Sequence, residues 1–281
     1  MKAHQYAAVD SAPSNVELSQ GLLIRFLDAQ NRYRDIRAMK RRMIELLGVR
    51  PGDAVLDLGC GTGDDARSLV DLVGADGKVV GVDLSTMMIA EAERRHSGRA
   101  LPLDFRIGDG RRLNFPDGAF DRCRSERTFQ WLDDPRPVLE ELVRVTRPGG
   151  RVVVCEEDWG TSIFGCIAAE LNDKMLRYAA TVIPGLRVAR RLPALFRACG
   201  LTQVTADLHL MVVDGHAFEA AHAEYYRHTL REAQDGGFLG PEEVAAILTT
   251  WNESMHAALF VEARTFWIVA GTKPPESPTG S

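Results

Sequence analysis

The sequence predicts an α/β domain built on a doubly wound, mostly parallel sheet. Three observations carry that prediction. Short apolar runs and amphipathic helical patterns alternate from residue 54 to residue 157. Their connections are mostly short, as βαβ units require. The first run, AVLDLG (54–59), ends in glycines where a helix begins, which is the strand–loop–helix junction of nucleotide-binding folds.

Residues 16–30 and 31–47 show helical periodicity. In the second stretch Ile36, Met39, Met43, Ile44 and Leu47 fall on one face, and RYRDIRAMKRR (32–42) supplies a solvated basic face. RPGD (50–53) is a turn, and AVLDLG a short buried strand. A helix follows over 63–73, then a second strand, KVVGVD (78–83). STMMIAEAERRH (85–96) is a helix with Ser85 as N-cap. LDFRIGD (103–109) and AFDRCRS (119–125) are the third and fourth strands. PRPVLEELVRVT (135–146) is a helix with Leu139, Leu142 and Val143 on one face. RPGG (147–150) turns into the fifth strand, RVVVCEE (151–157).

Beyond 157 the rhythm changes. Residues 158–199 read as an irregular stretch with helices. LTQVTADLHLMVV (201–213) alternates like a strand, and 258–273 contain another. Between them lie two helical patterns. One carries Phe218, His222, Tyr225, Tyr226 and Thr229; the other starts at Pro241 with Glu242 and Glu243 behind it. The tail after Thr272 is rich in Pro, Ser and Gly and is expected to be disordered over 274–281.

The chain has 281 residues, 45% apolar and 26% charged, with a formal net charge of -5. No basic stripe argues for a nucleic-acid partner, which needs clustered Lys and Arg. No apolar stretch reaches the roughly 18 residues that cross a bilayer, and the start lacks the apolar core of a signal peptide. Five cysteines, an odd number with no CxxC pair, point to a reduced, cytoplasmic protein and to no zinc site.

The stretch VLDLGCGTGDDA (55–66) carries the chemistry. Glycines between a strand and a helix let a ligand approach the main chain, and the helix N-terminus offers free N–H groups. A dinucleotide would rest its pyrophosphate there, but Asp64 and Asp65 occupy that position. No GK[ST] follows to build a Walker-type cradle. The ligand expected is therefore cationic and free of phosphate, and S-adenosylmethionine fits. The second strand ends in Asp83, placed to accept from ribose hydroxyls or to cap the strand end beside Ser85. The third ends in Gly108-Asp109-Gly110, where a carboxylate could accept from an adenine amino group.

VLDLGCGTGDDA, VVGVDLSTMMIAEA, FRIGDGRRLNFPDGAFD and LVRVTRPGGRVVV together resemble the successive motifs of class I S-adenosylmethionine-dependent methyltransferases. The branch they most resemble is the small-molecule one, with quinone-biosynthesis and natural-product enzymes. The resemblance covers roughly residues 40–157. It implies a seven-stranded sheet with an antiparallel last strand between the fifth and sixth. It also implies that Asp57 accepts from the methionine ammonium, that Gly59, Cys60 and Gly61 lie along the methionine and ribose, and that Asp83 holds the ribose. Leu84 and Met88 would flank the adenine, Asp109 and Gly110 would contact its edge, and Ser125 and Glu126 would face the methionine end. Cys60 is expected to be a small packing residue, not a nucleophile.

The implied organisation is a set of N-terminal helices over the cofactor site (1–50), a core (51–213 and 258–273) and a helical cap inserted at 214–257. The cap is expected to act as a substrate lid, or alternatively as a homodimer contact. Candidate bases for the acceptor are His216 and His222 at the start of the cap and Asp158 after the fifth strand. The family's N-methylating members often carry an Asn/Asp-Pro-Pro-type tetrapeptide after the fourth strand. Ser125-Glu126-Arg127-Thr128 stands there instead, which points to methylation of an oxygen or carbon of a small molecule. WGTSIFG after Asp158 offers no second carboxylate, so no metal is expected. Two rival expectations remain: a cyclase of the same fold that keeps the cofactor without transferring its methyl, and a noncatalytic subunit.

Overall fold

The computed structural model describes residues 13–96, 101–214, 220–256 and 261–275. Seven strands form one sheet in the order β3-β2-β1-β4-β5-β7-β6. They are β1 (Ala54–Leu58), β2 (Lys78–Asp83), β3 (Leu103–Ile107), β4 (Phe120–Glu126), β5 (Thr146–Phe164), β6 (Thr202–Asp214) and β7 (Val261–Thr272). The first five pair in parallel, and the last strands are antiparallel. The expected doubly wound, mostly parallel sheet is therefore present, with β7 between β5 and β6.

The helices are α1 (Pro13–Gln30), α2 (Arg34–Leu47), α3 (Asp64–Val73), α4 (Thr86–His96), α5 (Arg136–Val145), α6 (Ala169–Val182), α7 (Leu192–Ala198), α8 (Ala220–Asp235) and α9 (Pro241–His256). Ser85 caps α4 as expected: its Oγ accepts from the Met88 N–H at 3.3 Å. Alternate residues of the central strands, among them Leu56, Leu58, Val80, Val82, Val152 and Val154, pack with Leu139 and Leu142 of α5 into one buried core.

One element departs from expectation. Residues 158–164 read as irregular, yet β5 continues through them to Phe164. The extension is held by tertiary contacts: the Gly165 N–H donates to the Val261 carbonyl at 2.8 Å, and the Thr265 N–H to Thr161 Oγ1 at 2.9 Å. No local pattern in WGTSIF announces that pairing.

The chain forms two compact units. One comprises Met1–Lys40, Glu157–Leu186 and His209–Phe266; the other comprises Arg41–Glu156, Arg187–Leu208 and Trp267–Ser281. These cuts differ from the segments expected from the sequence, because the long strands β5, β6 and β7 each cross from one unit to the other. Within the first, largely helical unit, Phe164, Tyr178, Tyr226, Leu230 and Trp251 make an aromatic-rich core. Phe26 of α1 stacks on Tyr225 of α8 at 4.1 Å between ring centres. None of the described helices is long and apolar enough to cross a membrane.

Candidate functional site

Every cofactor candidate falls in the second unit. Gly59, Gly61 and Gly63 all have positive φ, between 53° and 79°. They are glycines for different reasons. A methyl group at Gly59 would overlap Thr128, and one at Gly63 would overlap Phe105, so both are packing positions. A methyl group at Gly61 would meet nothing within 4 Å. Of these three, Gly61 alone leaves open space against left-handed main chain, where a ligand can lie.

Asp83 closes the loop from below. Its Oδ2 accepts from the Gly61 N–H and its Oδ1 from the Ser85 N–H, both at 2.9 Å. The strand-end cap is thus real, and the carboxylate keeps lone pairs for a second set of donors. Burial raises the Asp83 carboxyl above its ordinary range, against the opposing pull of the Ser85, Gly61 and Leu84 N–H groups. Cys60 sits beside it, buried; burial together with Asp57 and Asp83 pushes its thiol well up. A nucleophilic thiol needs the opposite shift.

Leu84 follows Asp83 and is 49% exposed, an unusual state for a leucine after a central strand, while Met88 is buried. Asp109 is bound by Arg111 through contacts of 2.7–3.0 Å, which lower its carboxyl. Gly110 is where a methyl group would press on Leu58 at 3.1 Å.

The acidic helix start needs a correction. Asp64 is paired with Arg95 at 2.9 Å, and Asp65 with Arg124 at 3.2 Å. Their charges are partly spent, so they repel a phosphate less than their position in the sequence suggests. Arg124 was not anticipated. It is 2% exposed, stands opposite Asp57 in the β1–β4 register, and also meets Glu126 at 2.7 Å and Asp57 at 3.4 Å. Burial opposes its charge, but the three carboxylates prevail and raise its pKa. The signal was available in RCRSE: charged residues at every second position of a central strand must share one face.

Ser125, on the other face of β4, is fully buried. The loop after β4 is set by Glu156, the last residue of β5 in this unit. Its carboxylate accepts from the N–H groups of Thr128 (2.7 Å), Phe129 (2.7 Å) and Gln130 (3.2 Å), capping the 3-10 turn Phe129–Trp131. That fixes Thr128 against Gly59.

Of the catalytic candidates, His216 lies outside the described residues. His222 and Asp158 belong to the first unit. His222 is fully buried, hydrogen-bonded through Nδ1 to the Tyr33 hydroxyl, with Nε2 3.4 Å from Glu262. Asp158 is buried and accepts from the Gly160 N–H at 3.2 Å. The first unit also holds a cluster that sequence reasoning missed, Arg264 with Glu157 and Glu262. Among the described residues no group of three or more His, Cys, Asp or Glu could hold a metal.

A glycine-bearing turn after β1, a carboxylate ending β2 and tied to Gly61, and a seven-stranded sheet with its last strand inserted define a Rossmann-like methyltransferase fold. Comparison with known proteins agrees. A methyltransferase-domain family model matches residues 56–154. An uncharacterised 37.1 kDa transposon protein of Streptomyces fradiae is 30% identical over 85% of this chain and 68% of its own length. A demethylmenaquinone methyltransferase of Beutenbergia cavernae is 43% identical over 43% of this chain, which spans only 47% of that protein. Among solved structures, a Haemonchus contortus phosphoethanolamine N-methyltransferase in complex with S-adenosylmethionine aligns over 91% of this chain and 57% of its own, with a TM-score of 0.57 at 17% identity. The [4+2]-cyclase SpnF aligns over 85% of this chain and 81% of its own, with a TM-score of 0.51 at 22% identity. The chain belongs with the methyltransferases that share this domain, the quinone-biosynthesis enzymes among them.

Proposed function

We propose that the protein transfers a methyl group from S-adenosylmethionine to an oxygen or carbon of a small-molecule, secondary-metabolite acceptor. The observation that carries this is the open side of Gly61, with Asp83 tied to the same residue's N–H. When bound, the cofactor supplies an electrophilic methyl on a sulfonium. The chain's own residues hold the rest. Asp83 accepts from the ribose hydroxyls and Asp57 from the ammonium. Gly59, Cys60 and Gly61 follow the methionine and ribose, and Leu84 and Met88 flank the adenine. Asp109 and Gly110 border its edge, and Ser125 and Glu126 face the methionine end. The exposure of Leu84 supports its part, since burying it under a ring recovers apolar area.

The menaquinone relative and the domain model match mainly the cofactor-binding stretch, so they speak to the cofactor and not to the acceptor. Asp158 is proposed as the base for a hydroxyl acceptor. The burial of His222 between Tyr33 and Glu262 favours a supporting part for it.

Incubation with methyl-labelled cofactor and a panel of phenolic and quinol acceptors tests this. Labelled product and S-adenosylhomocysteine are expected together, and Asp158→Asn should lower turnover while S-adenosylhomocysteine binding holds. An acceptor consumed without change in mass, and with no S-adenosylhomocysteine, would replace this with the cofactor-retaining cyclase, whose fold the chain shares.

A further inference from the structure

We propose that His96 is a positioning residue for the cofactor loop: its Nδ1–H holds the Thr62 carbonyl, and so fixes the loop whose open side at Gly61 takes the ligand. This rests on the part proposed for Gly61 above. His96 ends α4 and stacks on Phe105 of β3, with ring centres 5.8 Å and planes 30° apart. Its side chain is 13% exposed. Phe105 is also the ring that fills the space beside Gly63. Thr62, between Gly61 and Gly63, is buried, and the His96 ring is hydrogen-bonded to its main chain.

The geometry fixes which nitrogen makes that bond. The bond favours the protonated ring, so the ring donates and the Thr62 carbonyl accepts. Nε2 is buried and has no hydrogen-bond partner, so the donor is Nδ1. Burial lowers the His96 pKa, against the pull of Asp64 and of the Thr62 carbonyl. A histidine held below its ordinary value is neutral at neutral pH and carries one ring proton. Among the described residues, the charged groups facing the ring are Asp64 and Arg67 from α3 and Arg95 from α4, while β3 presents the Phe105 ring. Arg67 is paired with Asp71 at 3.1 Å. Asp64 Oδ1 lies 3.8 Å from Nε2, beyond hydrogen-bond reach. Its Oδ2 accepts from Arg95 at 2.9 Å and from Thr62 Oγ1 at 3.1 Å. The ring thus spends its one proton on the loop and leaves Nε2 buried and unbonded, a costly arrangement that asks for a reason.

The reason is the loop itself. Asp83 accepts from the Gly61 N–H at 2.9 Å, and His96 donates to the carbonyl one residue further on. Gly61 and Gly63 stand at φ 53° and 79°, and glycine has little conformational preference of its own. The peptide planes around Thr62 therefore take their orientation from these partners. Releasing the Thr62 carbonyl lets its plane turn and changes the surface Gly61 offers, so His96 acts through Thr62.

The test compares substitutions that keep different atoms of the ring. An asparagine amide nitrogen stands as many bonds from Cα as Nδ1 does, and a glutamine amide nitrogen as many as Nε2. In calorimetric titration with S-adenosylhomocysteine, His96→Gln and His96→Leu should bind about ten-fold more weakly than wild type, the cost of stranding one acceptor in a buried residue. His96→Asn should recover most of that loss. All three lose the stacking on Phe105, so their urea stability should fall together. Nitrogen-15 spectra of the wild-type histidine rings should show the His96 proton on Nδ1 at neutral pH. Affinity that follows stability across the variants and not the Nδ1-like donor, or a proton found on Nε2, would reduce His96 to a packing residue. Should His96→Leu not fold, His96→Asn and His96→Gln carry the comparison. Failure of wild type itself to bind S-adenosylhomocysteine would overturn the cofactor reading of Gly61 instead.

Discussion

Arg124 and Arg264 invite comparison, since each is almost fully buried and each is held by carboxylates within its own unit. Arg264 is fully engaged. Its Nη1 meets Glu157, its Nη2 donates to Glu262 at 2.9 Å and its Nε to Ser162 at 2.7 Å. Its flat face lies 3.8 Å over the Trp159 ring. Glu262 in turn accepts from the Tyr226 hydroxyl at 2.6 Å and faces His222, which reaches Tyr33. Each of the three guanidinium nitrogens has a protein acceptor, so the network ties β5, β7, α8 and the α1–α2 junction into one body. Arg124 gathers three carboxylates to the two of Arg264, but its Nε lies 3.4 Å from Asp57 without a hydrogen bond. A buried guanidinium with every nitrogen bonded is held in one geometry, whereas one with a nitrogen left unbonded is held less tightly.

The comparison can be broken or sharpened by experiment. Gly61→Val should have the largest effect: no detectable S-adenosylhomocysteine binding by calorimetry, in a protein that remains folded by circular dichroism. Retained binding would mean the loop does not cradle the ligand. Next, Arg264→Met should cost about 3–5 kcal/mol in urea unfolding, the usual penalty for stranding buried partners. The remaining folded molecules should bind S-adenosylhomocysteine normally, and a matching loss of affinity would erase the distinction between the clusters. Asp83→Ala should weaken binding by about 1–3 kcal/mol. Because the Asp83 carboxyl is raised, wild-type affinity should also decline at a higher pH than an ordinary aspartate would give.

A smaller effect belongs to Glu156→Gln. An amide oxygen can replace only part of the cap on Thr128–Gln130, and a loss of about 1 kcal/mol in stability is expected. The smallest is the acid limb of stability. Burial would raise the Glu262 carboxyl, but His222, Arg264 and Tyr226 outweigh it, and the net shift is downward. A depressed carboxyl contributes stability that is present above its unfolded pKa and lost as pH falls through the folded one. Glu262→Gln should therefore flatten the pH dependence of urea unfolding on the acid side. An unchanged slope would show that His222 and Arg264 do not hold that carboxylate.

Much of the cofactor half was legible in the sequence. The glycine-bearing turn after β1, the acidic end of β2 and the cap of α4 at Ser85 all depend on residues close along the chain, where turn and capping chemistry act directly. The charge on Asp64 and Asp65 was visible too, but its neutralisation by Arg95 and Arg124 was not. Those partners lie 31 and 59 positions away and meet only across packed elements. The strand beyond Asp158 stayed hidden for the same reason, its pairing being with β7 about a hundred residues on.

The order of motifs along the chain, with the local chemistry of each turn, was enough to determine the sheet and the kind of ligand it faces. Folding alone decided which of the three glycines has open space beside it, because only packing shows that Thr128 and Phe105 already fill the space beside the other two. It also decided that one buried arginine is sealed by its partners and the other is not. Period and spacing report which face a side chain takes, but not which distant charge will be waiting there.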